Sequence, residues 1–141
     1  MAGQIGTGTF DVNTLVVTEP ATADAPSIII PAGGAFDLSL TFTGTGVSFN
    51  GFENLSTAYR VSYFAEGIGV GANEVDLGNV DKNLIPGRGG TYSGDDTKLS
   101  ILAGANPLTP GVYRIAGLVT FPSVPGMTGF VENSLIEVFQ P

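Results

Sequence analysis

Side chains that could carry out covalent catalysis are scarce in this sequence. It contains no His and no Cys, so a serine nucleophile would need a lysine or a carboxylate as its base. Lys82 and Lys98 lie in or beside predicted loops, and Ser93 and Ser100 lie near the second of them. Their spacing is not distinctive, and we expect no catalytic residue among them.

Asp95 and Asp96 are neighbouring carboxylates of the kind that acid–base chemistry uses, as in glycoside hydrolysis. Adjacent residues of a strand point to opposite faces, which would separate the two groups. In a Gly-rich loop, aspartates are more typical of a turn or a solvated tip. The sequence therefore predicts a protein that is not an enzyme.

An oxygen-rich stretch is the best candidate for metal binding. Glu74, Asp76 and Asp81 alternate there with Asn79 and Asn83, and calcium takes carboxylate, amide and carbonyl oxygens as ligands. The stretch lacks the residue order of an EF-hand loop, and its alternation is that of a strand. An acidic sheet edge that discourages strand addition explains the same residues. We expect no cofactor, with calcium at this stretch as the alternative.

The composition indicates one folded domain. It also disfavours negatively charged partners such as nucleic acid. Of 141 residues, 43% are hydrophobic and only 13% are charged, which suits a single domain with a proper core. The net charge of −8 leaves no basic stripe for nucleic acid and disfavours an anionic membrane surface. No stretch is long and apolar enough to predict membrane insertion.

The first nine residues differ in character from the rest. Residues 1–9 are rich in Gly and Thr, and we expect a flexible arm ahead of a single domain over residues 10–141. The segment has neither the basic region nor the apolar stretch of a signal peptide. The absence of Cys suits a cytosolic or an extracellular protein, so the compartment stays open, with a virion or extracellular surface favoured.

Short apolar stretches with a two-residue period predict an all-β fold. The clearest is residues 36–43, where every second residue is Phe or Leu. In the first predicted strand, Phe10, Val12 and Val16 share the inner face. We predict seven to nine strands and no helix, which favours two antiparallel sheets packed as a sandwich. The predicted strands cover residues 10–17, 28–30, 36–43, 57–64, 65–83, 98–102, 108–121 and 129–139.

One stretch resembles a known family of folds. Leu108-Thr-Pro-Gly-Val-Tyr-Arg-Ile-Ala resembles the tyrosine corner of immunoglobulin-like and fibronectin-type sandwiches, and the Pro-Gly-x-Tyr start of bacterial immunoglobulin-like repeats. The resemblance implies a Greek-key sandwich in which the Tyr113 hydroxyl bonds to the backbone a few residues upstream, after a turn at Gly111. Without a Cys pair or a Trp, the chain is not an antibody-type domain.

Residues suited to partner contacts gather in three predicted loops and on one sheet face. Aromatic, Met and Arg side chains are enriched at interfaces, and an immunoglobulin-like topology brings the loops 44–53, 84–96 and 123–129 to one end. The alternative is that some of them fold back and cover the core. The predicted contact residues are Phe49, Phe52, Arg88, Tyr92, Val124 and Met127 in the loops, with Phe64, Val112 and Leu118 facing outward on a sheet.

These observations favour a non-enzymatic structural module. It would assemble with copies of itself or pack on a larger protein scaffold, as a component of a virion or a surface lattice. The alternative is a module that binds carbohydrate or another cell-surface ligand. In that case Tyr92 with the two aspartates, or Phe49 and Phe52 with Asn50, would contact the sugar.

Overall fold

The computed structural model describes residues 2–5, 8–19, 29–69 and 73–140, and only the backbone at residues 2–5, 133 and 134. The start of the predicted strand 28–30 and the middle of the predicted strand 65–83 lie outside these residues. Within them, ten strands and one α-helix form a sandwich. The all-β class is as predicted, and the number of strands exceeds the seven to nine expected. The elements are β1 (Ala2–Ile5), β2 (Gly8–Thr18), β3 (Ile29–Pro31), β4 (Phe36–Thr45), α1 (Gly46–Asn54), β5 (Ala58–Gly67), β6 (Glu74–Asn83), β7 (Thr91–Tyr92), β8 (Leu99–Ile101), β9 (Gly111–Thr120) and β10 (Thr128–Phe139).

Two sheets make up the sandwich. The first has the order β1-β2-β4-β7, with β8 also paired to β4, and the second has the order β3-β10-β9-β5-β6. All pairs are antiparallel except β3 with β10. The chain passes from one sheet to the other between β2 and β3, β3 and β4, β4 and β5, β6 and β7, and β8 and β9, in keeping with the predicted Greek-key arrangement. None of the described helices has the length and apolar character needed to cross a membrane.

The core lies between the sheets and is rich in aromatic rings. Along β4 every second side chain is buried, as its alternation predicts. At one end, the ring of Phe42 stacks on that of Tyr92 at 4.9 Å and meets those of Tyr59 and Phe121 edge-on at 5.0 and 6.0 Å. Phe10 joins the cluster, 5.5 Å from Phe121. Such edge and offset contacts suit the charge distribution of aromatic rings.

The inner face of the first predicted strand needs a correction. The register of β2 against β4 shifts between Asn13 and Val16, and Thr14 adopts a positive φ of 52°. This bulge turns the following residues by one position, so Leu15 and Val17 are buried and Val16 is not. A period-2 pattern does not reveal an inserted residue.

Three other predicted boundaries differ from those in the structure. Residues 2–5 pair with residues 8–11 as a hairpin, so these parts of the expected flexible arm 1–9 are paired strand. The predicted loop 44–53 contains α1, although no helix was expected. The predicted single strand 65–83 is two elements: β5 extends to Gly67, and β6 begins at Glu74. In the N-terminal hairpin, glycine and threonine adopt extended backbone. Composition alone had predicted a flexible arm there.

Candidate functional site

The three predicted contact loops meet at one end of the sandwich, as the topology predicts. The N–H of Gly44 donates to the carbonyl of Gly90 at 2.8 Å, and the N–H of Leu84 donates to the carbonyl of Thr57 at 2.8 Å. The third loop starts where Thr120 of β9 pairs with Arg60 of β5. This end is therefore formed by α1, the segment 84–98 and the loop 121–127.

Most of the apolar side chains predicted to contact partners at this end are part of the core. Phe49, Tyr92 and Met127 are fully buried, so the prediction of surface contacts is wrong for them. Phe52 and Val124 are half-buried against the same core. The physical reason is that the two sheets leave their aromatic core open at this end, and loop side chains close it. The aromatic candidates for sugar stacking, Phe49 and Tyr92, are thereby removed from the surface.

Arg88 is the predicted loop residue that stays exposed. Its guanidinium pairs with the Asp96 carboxylate at 2.7 Å and lies 4.9 Å from the centre of the Tyr92 ring. Burial acts to raise the pKa of Asp96, but hydrogen bonds from Arg88 and from the Ser93 N–H hold it below its ordinary value. The hydrogen bond and charge of Asp96 in turn raise the pKa of Arg88. Arg88 thus links distant parts of the segment 84–98 to each other.

Asp95 and Asp96 do not form an acid–base pair. Asp96 accepts from the Ser93 N–H at 3.2 Å as part of a capping box on the 3₁₀ turn Gly94–Asp96. Asp95 is solvent-exposed and lies 3.4 Å from the Lys98 ammonium. The two carboxylates therefore have structural partners, in keeping with the turn that the sequence favoured.

Buried tyrosine hydroxyls anchor the same turn. Tyr59 donates to the Asp96 carbonyl at 2.8 Å and Tyr63 to the Thr97 carbonyl at 2.6 Å. Burial raises the pKa of both phenols, with the charge of Asp96 adding to the effect at Tyr59. Burial also raises the pKa of Tyr92 to about 12. These hydroxyls remain neutral donors, and those of Tyr59 and Tyr63 hold backbone carbonyls.

Glu53 is a residue that the sequence prediction missed. It is only 2% exposed, and its carboxylate accepts from the Gly90 N–H at 3.0 Å and from the Tyr92 hydroxyl at 2.7 Å. The available signal was its position four residues after Phe49, which places both on one face of a helix. That signal was lost because the segment was predicted as a loop.

The outer face of the second sheet keeps its apolar side chains at the surface. Strand partners point to the same side of a sheet, so Leu118 on β9 lies beside Phe130 on β10, and Phe64 on β5 lies beside Ala116 on β9. Phe130 is 44% exposed, whereas Phe64 and Leu118 are half-buried. We call this surface the outer patch: Phe64, Val112, Ala116, Leu118, Phe130 and Leu135.

Charged residues lie both beside the outer patch and within it. Arg60 pairs with Asp81 at 2.7 Å at one side. Their hydrogen bond and charges lower the pKa of Asp81 and raise that of Arg60. Arg114 and Glu132 are 3.9 Å apart on the same face. Arg114 follows Val112 and precedes Ala116 along that face of β9, and Glu132 pairs with Ala116, so this ion pair separates Val112 and Leu135 from the other residues of the patch. An apolar group bordered by charged residues, as Phe64, Ala116, Leu118 and Phe130 are here, is the usual anatomy of a protein interface.

The predicted calcium candidates lie on β6, at the edge of the second sheet. Asp76 accepts from the Gly78 N–H at 2.9 Å, Asp81 pairs with Arg60, and Glu74 is exposed beside Glu66. Across the described ranges, no three acidic, His or Cys side chains are grouped to hold a metal ion. The structure does not bring these three carboxylates together.

The tyrosine corner has the geometry that the resemblance implies. The Tyr113 hydroxyl donates to the carbonyl of Thr109, four residues upstream, at 2.7 Å. Gly111 starts β9 immediately before it. The bond ties the connection from β8 to the first residues of β9, where the chain changes sheet.

Comparison with known proteins supports the fold. No protein-family model and no curated protein sequence matches the chain. Among solved structures, it is similar to the CARDB domain of a Pyrococcus furiosus protein in complex with di-metal ions, with a TM-score of 0.56 and 10% identity over 99% of this chain and 100% of that chain. It also aligns with a Pseudomonas fluorescens alkylpurine DNA glycosylase bound to abasic-site DNA, with a TM-score of 0.46 and 16% identity over 92% of this chain and 30% of that chain. The first likeness shows an all-β sandwich of the immunoglobulin-like kind.

Proposed function

We propose that this domain is a non-enzymatic structural module that binds copies of itself, or a protein scaffold such as a virion or surface lattice, through its outer patch. The observation that carries the proposal is the apolar surface that Phe64, Ala116, Leu118 and Phe130 form across β5, β9 and β10. Large exposed apolar patches on soluble domains mark interaction surfaces. The predicted loop contacts no longer contribute, because most of those side chains close the core.

The geometry of the patch suits a flat protein surface. Leu118 stands on β9, between β10 and β5 in the sheet, and Phe130 stands directly beside it. Residues at the centre of an interface contribute most of its binding energy. The patch is built on paired strands, so little conformational entropy is lost when it docks.

Leu118→Asp and Phe130→Asp test this proposal. Each places a charge in the centre of the patch, and we expect self-association measured by light scattering over a concentration series to fall at least tenfold, because a hot-spot substitution costs about 2 kcal/mol. The matched control is Leu55→Asp, which makes the same kind of change at a leucine that is 78% exposed and directly follows α1, outside the patch. A wild-type chain that is monomeric at every concentration would contradict self-assembly.

Carbohydrate binding, the alternative function, has less support from the geometry. Sugar sites commonly place an aromatic ring where a pyranose can stack on it, and both predicted sets depend on such a ring. Tyr92 and Phe49 are buried, and Phe52 is half-buried against the core. Binding of the wild type to a glycan array, and its loss in the Phe52→Ala variant, would favour this alternative over assembly.

A further inference from the structure

A cleft of about 350 Å³ lies between the second half of α1 and the segment after β6. Three of its lining residues, Asn50, Glu53 and Asn54, occupy one face of the helix, since positions i, i+3 and i+4 are neighbours. The opposite wall is formed by Gly87 and Gly89, where an added Cβ would meet no atom within 4 Å. The helix side of the cleft therefore presents one carboxylate and two amides.

Within the described part of the chain, one carboxylate oxygen of Glu53 has no hydrogen-bond donor, although the residue is almost fully buried. The Gly90 N–H and the Tyr92 hydroxyl both donate to Oε2, and among the described residues no group donates to Oε1. Every fully buried side-chain oxygen or nitrogen in this part of the chain has a hydrogen-bond partner. Oε1 is therefore not sealed in the interior, and it reaches solvent through the cleft that Glu53 lines.

No basic side chain neutralises this carboxylate. The chain has five Lys and Arg residues, and all lie within the described ranges. Four of them pair with other carboxylates, at Asp81, Asp96, Asp95 and Glu132, and the fifth, Lys82, donates to the Asp95 carbonyl at 2.6 Å. Glu53 also stands in the last turn of α1, where the helix dipole disfavours a negative charge. A buried charge without an opposite partner is costly, so a positive charge from outside would be bound favourably here.

We infer that this cleft is a calcium-binding site with Glu53 as its charged ligand. Glu53 Oε1 and the amide oxygens of Asn50 and Asn54 are oxygen ligands of the kinds that Ca²⁺ accepts, and its flexible coordination lets water complete the shell. Mg²⁺ gives up water reluctantly and demands stricter geometry, so Ca²⁺ is preferred. With a single carboxylate, the Kd falls in the weak class, on the order of 10⁻⁴ to 10⁻³ M. The inference is independent of the outer patch and of the acidic edge on β6.

Isothermal titration of the full, chelator-treated chain with CaCl₂ tests the site. We expect saturable binding that Glu53→Gln abolishes and that Asn50→Asp strengthens about tenfold, since affinity rises with the number of charged ligands. Asn50 is exposed, so its substitution does not disturb the core and remains informative even if Glu53→Gln folds poorly. The matched control is Glu66→Gln, which removes the same charge from the exposed face of β5 and leaves calcium affinity unchanged.

Three outcomes would overturn the inference. The first is a titration with CaCl₂ that shows no saturable heat up to about ten times the expected Kd. The second is an Asn50→Asp variant that binds no more tightly than the wild type. The third is that methylammonium chloride binds in a Glu53-dependent manner and CaCl₂ does not bind. The cleft would then be a site for an organic cation.

Discussion

The four tyrosines of this chain have a common role at the residue scale. Each ring is buried, and each hydroxyl donates to an atom outside the two sheets: Tyr59 to Asp96, Tyr63 to Thr97, Tyr92 to Glu53 of α1 and Tyr113 to Thr109. Tyrosine suits this position because its ring contributes apolar area while its hydroxyl reaches a polar partner at the margin of the core. The loops of this sandwich are thus held by phenol groups, without any disulfide.

Replacing Tyr113 by Phe measures what one of these bonds contributes. We expect the free energy of unfolding to fall by about 1 kcal/mol, the usual net value of a hydrogen bond whose acceptor can turn to water. Thr109 is exposed, so its carbonyl is rehydrated in the variant. The measurement is urea denaturation followed by circular dichroism, with unchanged m-value as the sign of an unaltered fold.

Tyr63→Phe is the comparison variant. Its acceptor is the carbonyl of Thr97, a fully buried residue, and a buried acceptor left without a partner costs about 1–3 kcal/mol. We expect this variant to lose more stability than Tyr113→Phe. Equal stability of Tyr113→Phe and the wild type would mean that the corner contributes nothing to folding.

Single residues also show where sequence prediction stops. The tyrosine corner was predictable because its hydrogen bond is local, spanning four residues. Phe49 and Tyr92 were assigned to the surface because their burial depends on partners far along the chain, Phe10 and Phe42. Glu53 was missed for the same reason, since its donors lie 37 and 39 residues away. Such pairings cannot be read from spacing alone.

At the scale of elements, α1 is a helix that its own sequence does not favour. Its nine residues, Gly-Val-Ser-Phe-Asn-Gly-Phe-Glu-Asn, include two Gly and two Asn, which are poor helix formers. The N-cap residue, Thr45, makes no side-chain capping hydrogen bond. The helix is instead stabilised by Phe49, buried in the core, and by the hydrogen bonds of Glu53 to the opposite segment. Tertiary contacts override propensity here, which explains why a loop was predicted.

Two glycine substitutions separate these contributions. At Gly44, an added Cβ would stand 2.1 Å from the Phe49 ring, and the buried ring has no room to move away. We therefore expect Gly44→Ala to lower the free energy of unfolding by about 3 kcal/mol, the upper part of the usual range for overpacking. At Gly51 within α1, nothing lies within 4 Å, and Gly51→Ala is expected to raise it by about 0.5–1 kcal/mol.

Urea denaturation of both variants provides the measurement, and each serves as the control of the other because the chemical change is identical. If Gly44→Ala were as stable as the wild type, Phe49 would not be packed against β4 as described. If Gly51→Ala were destabilised, the segment 46–54 would not be helical in solution.

At the scale of the whole molecule, the sandwich could be predicted because it follows from features repeated along the chain. Period-2 alternation, as in β4 and β5, and frequent Pro and Gly turns are distributed over all of it, so an error in one strand does not change the class of fold. The outer patch needed the strand pairing as well, because only the register places Phe64, Leu118 and Phe130 on one face. Surface function depends on this pairing, which the sequence left open.

The net charge of the molecule gives the assembly proposal a further consequence. Each copy carries a formal charge of −8, so two copies that meet through the apolar outer patch repel each other over a distance set by the ionic strength. The screening length falls from about 30 Å at 0.01 M salt to about 8 Å at 0.15 M. We expect the Kd of self-association, measured by sedimentation velocity, to fall about fivefold over this range. Leu118→Asp, without the apolar contact, should stay monomeric at both salt concentrations. Association that weakened with added salt would instead indicate a contact held by opposite charges, such as Arg114 of one copy with Glu132 of another, and would contradict docking driven by the apolar residues of the patch.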